Sequence, residues 1–322
     1  MELLWPTLLG VLFAGYFVVD GFDIGTGLLL RRIGRTEAER RALITSIGPF
    51  FLGNEVWLVA VGGVLTGAFP LLKDRVLGGL YLLVVAGLLI WVLRDASIWF
   101  RSRKESARWR SGWDRSLTVT SAAFAVFWGL VIGALLGGLP PAGEAGTAGP
   151  WELTGAYSLL WAGVMVVLFA AHGAVFLTVR LPADLVTSAE ATAARLLRPA
   201  AGLLGFAVLT GLVFVVPWEP GRSLPVGVIG ASAVAALWFA SGSVTGRRYG
   251  RALALSAFAV ASPALMIGFR LAPGLPDATA DAASLRVLGG FTLGVLPLLV
   301  AMQVGMWWAF RRRVDARTVV FF

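Results

Sequence analysis

The chain has 322 residues, of which 58% are hydrophobic and only 14% are charged, and its mean hydropathy is +0.82. Soluble domains carry roughly 25% charged residues, so this composition excludes a soluble globular enzyme and a disordered protein. Cysteine is absent and histidine occurs once, which excludes disulfides, thiolate catalysis and a multi-histidine metal or haem site within this chain. We therefore expect a membrane protein with no metal site and no catalytic residue of its own.

Nine stretches are long and apolar enough to cross a bilayer, which takes about 20 residues of helix. In chain order they are Trp5–Leu30, Ser46–Leu72, Val76–Phe100, Leu117–Leu139, Gly155–Leu181, Leu197–Pro217, Leu224–Ser243, Arg251–Leu271 and Arg286–Phe310. The sequence therefore predicts an all-α integral membrane protein of about nine transmembrane helices. A loop rich in Gly, Pro and Ala at 137–150 suggests a single membrane domain made of two four-helix bundles, about 1–139 and 151–271, plus a ninth helix at 286–310.

The basic residues predict the orientation. Alternate loops and the C-terminal tail hold 21 of the 27 Lys and Arg residues, and the opposite loops hold five. The positive-inside rule places the richer side in the cytoplasm, so the N-terminus and loop 137–150 are expected outside the plasma membrane and the tail after Arg311 inside. The net charge of +9 is thus a topology signal, and no nucleic-acid partner is expected. The basic segments 31–41 and 101–115 are expected to face water or lipid headgroups, with a capping box at Thr36 and Glu39.

Polar side chains inside the spans are few, and such groups are costly in lipid. The candidates are Asp20, Asp23, Asn54, Glu55, His172 and Gln303, with Arg94 as a candidate ion-pair partner. With a rise of about 1.5 Å per residue, candidates on four different spans come to roughly 12–14 Å from the predicted cytoplasmic ends. We therefore expect one intramembrane polar layer on the cytoplasmic side of the midplane.

This layer has two interpretations. Carboxylates and a histidine at one depth can relay protons or hold an ion, and Glu55 is then the favoured proton carrier. Alternatively, Asp20 or Asp23 pairs with Arg94 as a structural bolt, and His172 and the Gln303 amide are packing residues that bond helix to helix. Arg94 also lies toward the predicted cytoplasmic end, where a long side chain can reach the interface.

Several separated motifs follow one another in a fixed order. They are Tyr16–Gly25, Glu39–Arg41, Ser46–Pro49, Gly53–Leu58, Gly62–Gly63, Phe69–Pro70, Arg94, Phe100–Arg101, Trp109–Asp114 and His172–Ala174. Together they resemble subunit II of the cytochrome bd-type quinol oxidases, strongly over the first 115 residues and more weakly over the rest. The chain is identified as a divergent member of that family.

The resemblance implies a heterodimer with a haem-bearing subunit I, which holds haem b and haem d, oxidises quinol and reduces oxygen to water in the respiratory chain. It implies that this chain binds no haem itself, stabilises the complex and helps to deliver cytoplasmic protons to subunit I. A structural quinone, small accessory subunits and membrane lipid complete the partners that the family suggests.

Two positions depart from the family pattern. Leu52 stands one turn before Glu55, where the family has an Asp on its proposed proton route, and Met302 stands where a Tyr is usual beside Gln303. Two rival functions use the same polar layer. One is a proton- or ion-coupled transporter without a haem partner, and the other is a non-catalytic partner that stabilises a divergent haem subunit.

Overall fold

The structure is a computed structural model that describes residues 3–138 and 154–314. Within these ranges the chain forms ten helices of eleven residues or more. They are α1 (Leu4–Ile33), α2 (Glu37–Ile47), α3 (Phe51–Ala68), α4 (Tyr81–Arg101), α5 (Ala107–Gly137), α6 (Ala156–Arg180), α7 (Ala183–Thr210), α8 (Pro220–Thr245), α9 (Tyr249–Leu271) and α10 (Ala282–Ala309). Short helical turns fill 70–78 before α4, 211–215 after α7 and most of 272–278 before α10.

Every one of these helices except α2 is long and apolar enough to cross a membrane, which gives nine candidate spans in the described part of the chain. The prediction of an all-α integral membrane protein with about nine transmembrane helices is confirmed. Most of the predicted linker 137–150 lies outside the described residues, and the division of the domain at this linker stays a prediction.

Several predicted boundaries differ from the observed ones, and three of the differences have a clear physical cause. The predicted span Ser46–Leu72 is broken at Gly48 and Pro49, which separate α2 from α3, because proline has no N–H to donate within a helix. The helices α5 and α7 begin ten and fourteen residues before the predicted spans, because hydropathy detects only the part of a helix that lies in the hydrocarbon. The polar first turns of a long helix escape that signal.

The predicted capping box opens α2. The Thr36 Oγ1 atom accepts a hydrogen bond from the Glu39 backbone N–H at 3.2 Å, and the Glu39 carboxylate accepts from the backbone N–H groups of Thr36 at 3.0 Å and Arg35 at 2.7 Å. These two backbone donors hold the pKa of the Glu39 carboxyl below its usual range. The short helix therefore begins where the spacing predicts.

The first helix is the centre of the bundle. It packs against α3, α5, α6 and α9, while α6 packs in turn against α5, α7 and α9. The helices α4 and α8 lie further out, α4 on α5 and α8 between α7 and α9. The last helix packs mainly on α3 and is the least buried span of those described. The polar side chains of α1 therefore meet residues from several helices at once.

The helices α1 and α6 touch through their backbones. A Cβ atom added to Gly25 would overlap the Phe169 carbonyl oxygen and the backbone of Gly173, and one added to Gly173 would overlap Gly25. Small residues at such crossings allow close packing between membrane helices. Two glycines facing each other therefore set the distance between the two central helices.

Replacing Gly25 with alanine is expected to lower the thermal unfolding midpoint in detergent. The obstacle is backbone rather than a flexible side chain, so the helices must separate, at a cost of about 1–3 kcal/mol for overpacking. The matched control is Gly10→Ala on the same helix, where no atom lies within 4 Å of the added Cβ. Equal midpoints for the two variants would show that α1 and α6 do not touch at Gly25.

Candidate functional site

A buried ion cluster lies between α1, α3 and α4. The Arg94 guanidinium Nη2 lies 3.0 Å from Asp20 Oδ1, and its Nη1 lies 3.4 Å from Glu55 Oε1. A third carboxylate, Asp95 Oδ1, is 4.0 Å from Arg94 Nη1. Arg94 and Asp20 are fully buried and Glu55 is 7% exposed. One guanidinium therefore bridges carboxylates from two other helices inside the bundle.

The Asp20 carboxylate is held from a second side by aromatic donors. Tyr16 lies one turn earlier on α1 and donates its hydroxyl to Asp20 Oδ2 at 2.8 Å, while the Trp128 indole N–H of α5 donates to the Tyr16 oxygen at 3.1 Å. Asp20 thus accepts from both a cation and a phenol, which is the pattern that stabilises a buried charge. Tyr16 was not among the polar residues selected from the sequence.

The position of Arg94 toward the end of α4 suggests that its side chain reaches the membrane interface. In the structure the side chain is instead fully buried in the bundle. Its side chain turns inward because two carboxylates lie within hydrogen-bonding distance there, and leaving a charge in lipid is costly. The pairing with Asp20 is the one that the structural-bolt interpretation expects. The additional contact with Glu55 was not expected, and it joins the favoured proton carrier to the bolt.

Asp23 belongs to a chain of amides instead. Asn54 Nδ2 donates to Asp23 Oδ2 at 2.7 Å and to the Val19 carbonyl oxygen at 2.8 Å. Gln303 Nε2 donates to Asn54 Oδ1 at 3.0 Å, and Trp57 Nε1 donates to Gln303 Oε1 at 3.2 Å. These bonds connect α1, α3 and α10 through side chains inside the bundle.

His172 lies in a separate network. Its Nε2 is 3.0 Å from the Val18 carbonyl oxygen and its Nδ1 is 2.9 Å from Ser256 Oγ, and the ring is buried. Because a carbonyl only accepts, Nε2 carries the hydrogen, and both ring nitrogens are engaged. His172 therefore ties α6 to α1 and α9, whereas the other five predicted residues join the ion cluster or the amide chain.

A second buried ion network lies where α2, α4 and α5 meet, and the sequence did not predict it. Asp114 accepts from Arg101 Nε at 2.5 Å and from Arg40 Nε at 2.7 Å, and Glu37 Oε1 lies 3.2 Å from Arg110 Nη1 and 3.4 Å from Arg101 Nη1. Arg101 and Asp114 are buried. Most of segment 101–115 is expected to face water or headgroups, and Arg101 and Asp114 are exceptions whose opposite charges pair inside the bundle.

The described residues show no ready metal site. In residues 3–138 and 154–314, no group of three or more His, Asp or Glu side chains is placed to hold a metal ion. The ion cluster holds three carboxylates around one guanidinium.

The family follows from comparison with known proteins. A family model described as cytochrome bd terminal oxidase subunit II matches residues 1–310. The chain belongs to the cytochrome bd oxidase subunit II family. Together with the nine candidate spans in the described residues, this makes the chain a multi-pass membrane subunit, and the resemblance found in the motifs is confirmed.

Relatives support the same assignment. The chain is 34% identical over 198 residues to cytochrome bd-I ubiquinol oxidase subunit 2 of Escherichia coli K12, covering 60% of this chain and 52% of that protein. The chain therefore spans about half the length of this relative from Escherichia coli. It is 28% identical over 328 residues to cytochrome bd ubiquinol oxidase subunit 2 of Bacillus subtilis 168, covering 97% and 96% of the two chains.

The fold has a counterpart among solved structures. A chain of the bd oxidase from Geobacillus thermodenitrificans superposes with a TM-score of 0.76 at 17% identity, over 96% of this chain and 98% of that one. At this identity the superposition shows a shared fold, and it does not assign roles to individual residues.

Proposed function

We propose that this chain is the non-haem subunit of a bd-type quinol:oxygen oxidoreductase in the plasma membrane. In this role it stabilises the complex and delivers cytoplasmic protons to a haem-bearing partner subunit. The observation that carries the proposal is the buried cluster of Asp20, Arg94 and Glu55 in a chain of this family. Carboxylates around a single cation provide the acceptors that a proton path needs.

The partner is expected to cover the face formed by α3, α4 and α10. These helices are among the least buried spans in the described residues, and α10 buries only Leu285, Leu299 and Gln303. Apolar side chains stand exposed on these helices, among them Leu52, Val59, Leu88, Val92, Phe291 and Leu298. Glu55 lies just inside this face, so a proton that reaches Glu55 is close to the proposed partner. Small accessory subunits and membrane lipid would occupy other faces.

Leu52 stands in place of the family's Asp, which fits a proton route that differs from the one proposed for the family. Leu52 is 49% exposed on the proposed partner face, whereas Glu55, one turn later, is buried against Arg94. An apolar side chain cannot carry a proton, so the proposed path runs inside the bundle, through Asp20 or Asp23 and on to Glu55. An Asp at position 52 would provide a second path along the interface.

Haem is expected only in the partner. Iron in haem proteins is held by His, Cys, Met or Tyr, and in this chain both nitrogens of the single histidine are engaged in hydrogen bonds. The residues described here therefore do not fit a histidine-ligated haem. The haem b and haem d that the family implies would reside in subunit I.

We place the proposed structural quinone between α1, α3, α4 and α5. A cavity of about 330 Å³ lies there, with walls almost wholly apolar. Trp91 lines it, and the buried Trp91 indole N–H has no hydrogen-bond partner among the described residues. The walls fit an isoprenoid chain, and this N–H could donate to a quinone carbonyl oxygen.

Expression with and without the partner tests the function. With a bd-type subunit I, the chain is expected to co-purify with a haem protein that absorbs visible light and consumes oxygen with quinol. Expressed alone, it is expected to show no Soret band. A stoichiometric haem that is lost in His172→Ala would contradict the proposal, and ion uptake by the chain alone in liposomes would support the transporter instead.

The orientation is tested by labelling single cysteines, since the chain has no native cysteine. A cysteine near Gly143 is expected to react with an impermeant reagent added outside, and one after Arg311 only when the membrane is opened, because the excess of arginine lies on the tail side. Labelling of the tail from outside, with protection near Gly143, would reverse the proposed orientation.

A further inference from the structure

A basic groove lies where α8 turns into α9, beside the middle of α7. Its volume is about 400 Å³, within the roughly 300–1,000 Å³ range of small-molecule sites. Arg198 of α7, Arg248 of the turn and Arg251 of α9 line it together with Trp238 and Phe239 of α8. The groove is far along the chain from the ion cluster and shares no residue with it.

The three arginines have no acidic partner. Within the described residues, no carboxylate lies within 4.0 Å of their guanidinium groups, in contrast to Arg40, Arg94 and Arg101. All three are exposed, and the Arg198 guanidinium lies 5.2 Å from the centre of the Trp238 ring. Three uncompensated guanidinium groups around one groove favour an anion, and planar guanidinium groups match the geometry of a phosphate.

The backbone of the turn holds one of these cations in place. Arg247 has φ of +54°, a left-handed conformation that residues with a side chain seldom adopt and that glycine usually supplies after a helix. The Arg248 backbone N–H then donates to the Ser243 carbonyl oxygen at 2.8 Å. This tight turn directs Arg248 back to the groove rather than along the axis of α8.

The other half of the groove is apolar and open. Trp238 and Phe239 are 59% and 58% exposed, and they lie between one and two turns before the end of α8 at Thr245. Aromatic residues next to arginines are typical of the membrane interface, where lipid headgroups meet acyl chains. A free anion would use only the arginines, whereas a phospholipid would use both halves.

We propose that this groove binds an anionic phospholipid, with the headgroup phosphate between Arg198, Arg248 and Arg251 and an acyl chain against Trp238 and Phe239. It lies on the side that the arginine distribution predicts to be cytoplasmic. Basic pockets between membrane helices on that side are suited to anionic headgroups. The site would hold a lipid independently of the oxidase activity.

Native mass spectrometry of the full chain with its co-purifying partner tests this site, using dioleoylphosphatidylglycerol, dioleoylphosphatidylcholine and inorganic phosphate as probes. Phosphatidylglycerol is expected to be retained over phosphatidylcholine. Arg198→Gln, Arg248→Gln and Arg251→Gln should each weaken its binding about fivefold, the loss expected for one basic residue near an anionic surface. The matched controls Arg195→Gln and Arg247→Gln are exposed, lie on the same helix and turn, and do not line the groove, so they should bind as the unmodified chain does.

A Trp238→Ala variant separates a lipid from a free anion, since it should weaken phosphatidylglycerol and leave inorganic phosphate unaffected. Equal retention of phosphatidylcholine, or phosphatidylglycerol binding that survives the triple arginine variant, would overturn the proposal. So would inorganic phosphate that binds as well as the lipid. Binding by the chain alone but not by the complex would show that a protein covers the groove. All these side chains are exposed, so the variants should keep the thermal midpoint of the unmodified protein.

Discussion

An Arg94→Gln variant is expected to lose stable folding in detergent. Its guanidinium is fully buried and lies 3.0 Å from Asp20 and 3.4 Å from Glu55. Removing the cation leaves buried carboxylates without a neutralising charge inside the bundle, and breaking a buried ion pair from one side costs about 3–5 kcal/mol. The thermal unfolding midpoint and the yield of monodisperse protein measure this loss.

Three further variants separate this effect from the general loss of an arginine. Arg75→Gln removes an exposed arginine near the start of α4 and should unfold as the unmodified chain does. Arg94→Lys should be intermediate, because an ammonium group is a point charge that cannot place two separate nitrogens on two acceptors. Asp20→Asn combined with Arg94→Gln should be less damaging than the sum of the two changes. If Arg94→Gln is as stable as Arg75→Gln, the cluster does not hold the helices together.

A Glu55→Gln variant is expected to slow oxygen consumption by the assembled complex about a hundredfold, the typical loss when a proton-transferring side chain is removed. Glutamine keeps the shape of the side chain and can still accept from Arg94, but it cannot take up a proton. Arg94 also keeps its closer contact with Asp20, so assembly should change little. Oxygen consumption with quinol, compared with the amount of bound haem, measures the effect.

The control for Glu55 is Asp74→Asn, which removes an exposed carboxylate paired with Lys73 at 2.6 Å and should leave turnover unchanged. Leu52→Asp should leave turnover equal or raise it, because it adds an acceptor on the proposed partner face. If Glu55→Gln keeps both the rate and its pH dependence in a fully assembled complex, Glu55 carries no protons and the cluster is structural.

Hydropathy was enough to find the spans. Polar groups are costly in lipid, so each span must be a stretch of about 20 mostly apolar residues. Hydropathy could not find the first turns of α5 and α7, which are too polar to register, or the break before α3, which depends on Pro49. The pair Arg101 and Asp114 was missed for a similar reason. Each looks solvated in a basic segment, and only the packing of α4 on α5 brings them together.

The position of a polar residue along its helix did not predict which residue it contacts. Asp20 and Asp23 lie one turn apart on the same helix, and the sequence does not distinguish them, yet Asp20 contacts Arg94 and Asp23 contacts Asn54. His172 belongs to another hydrogen-bond network. The missing quantity is the rotation of each helix about its axis, which is set by contacts such as Gly25 on Gly173 and not by spacing.

The amide chain on Asp23 has a stereochemical consequence. Asn54 Nδ2 donates to both Val19 and Asp23 Oδ2, and Gln303 donates to the other end of the same amide, so Asn54 cannot flip without breaking all of these bonds. Asp23 Oδ2 is thereby committed as an acceptor, while Oδ1 has no hydrogen-bond partner among the described residues. A proton that arrives at Asp23 is therefore expected to bind Oδ1 in preference to Oδ2, which already accepts from Asn54. The amides of α3 and α10 thus distinguish two otherwise equivalent carboxylate oxygens.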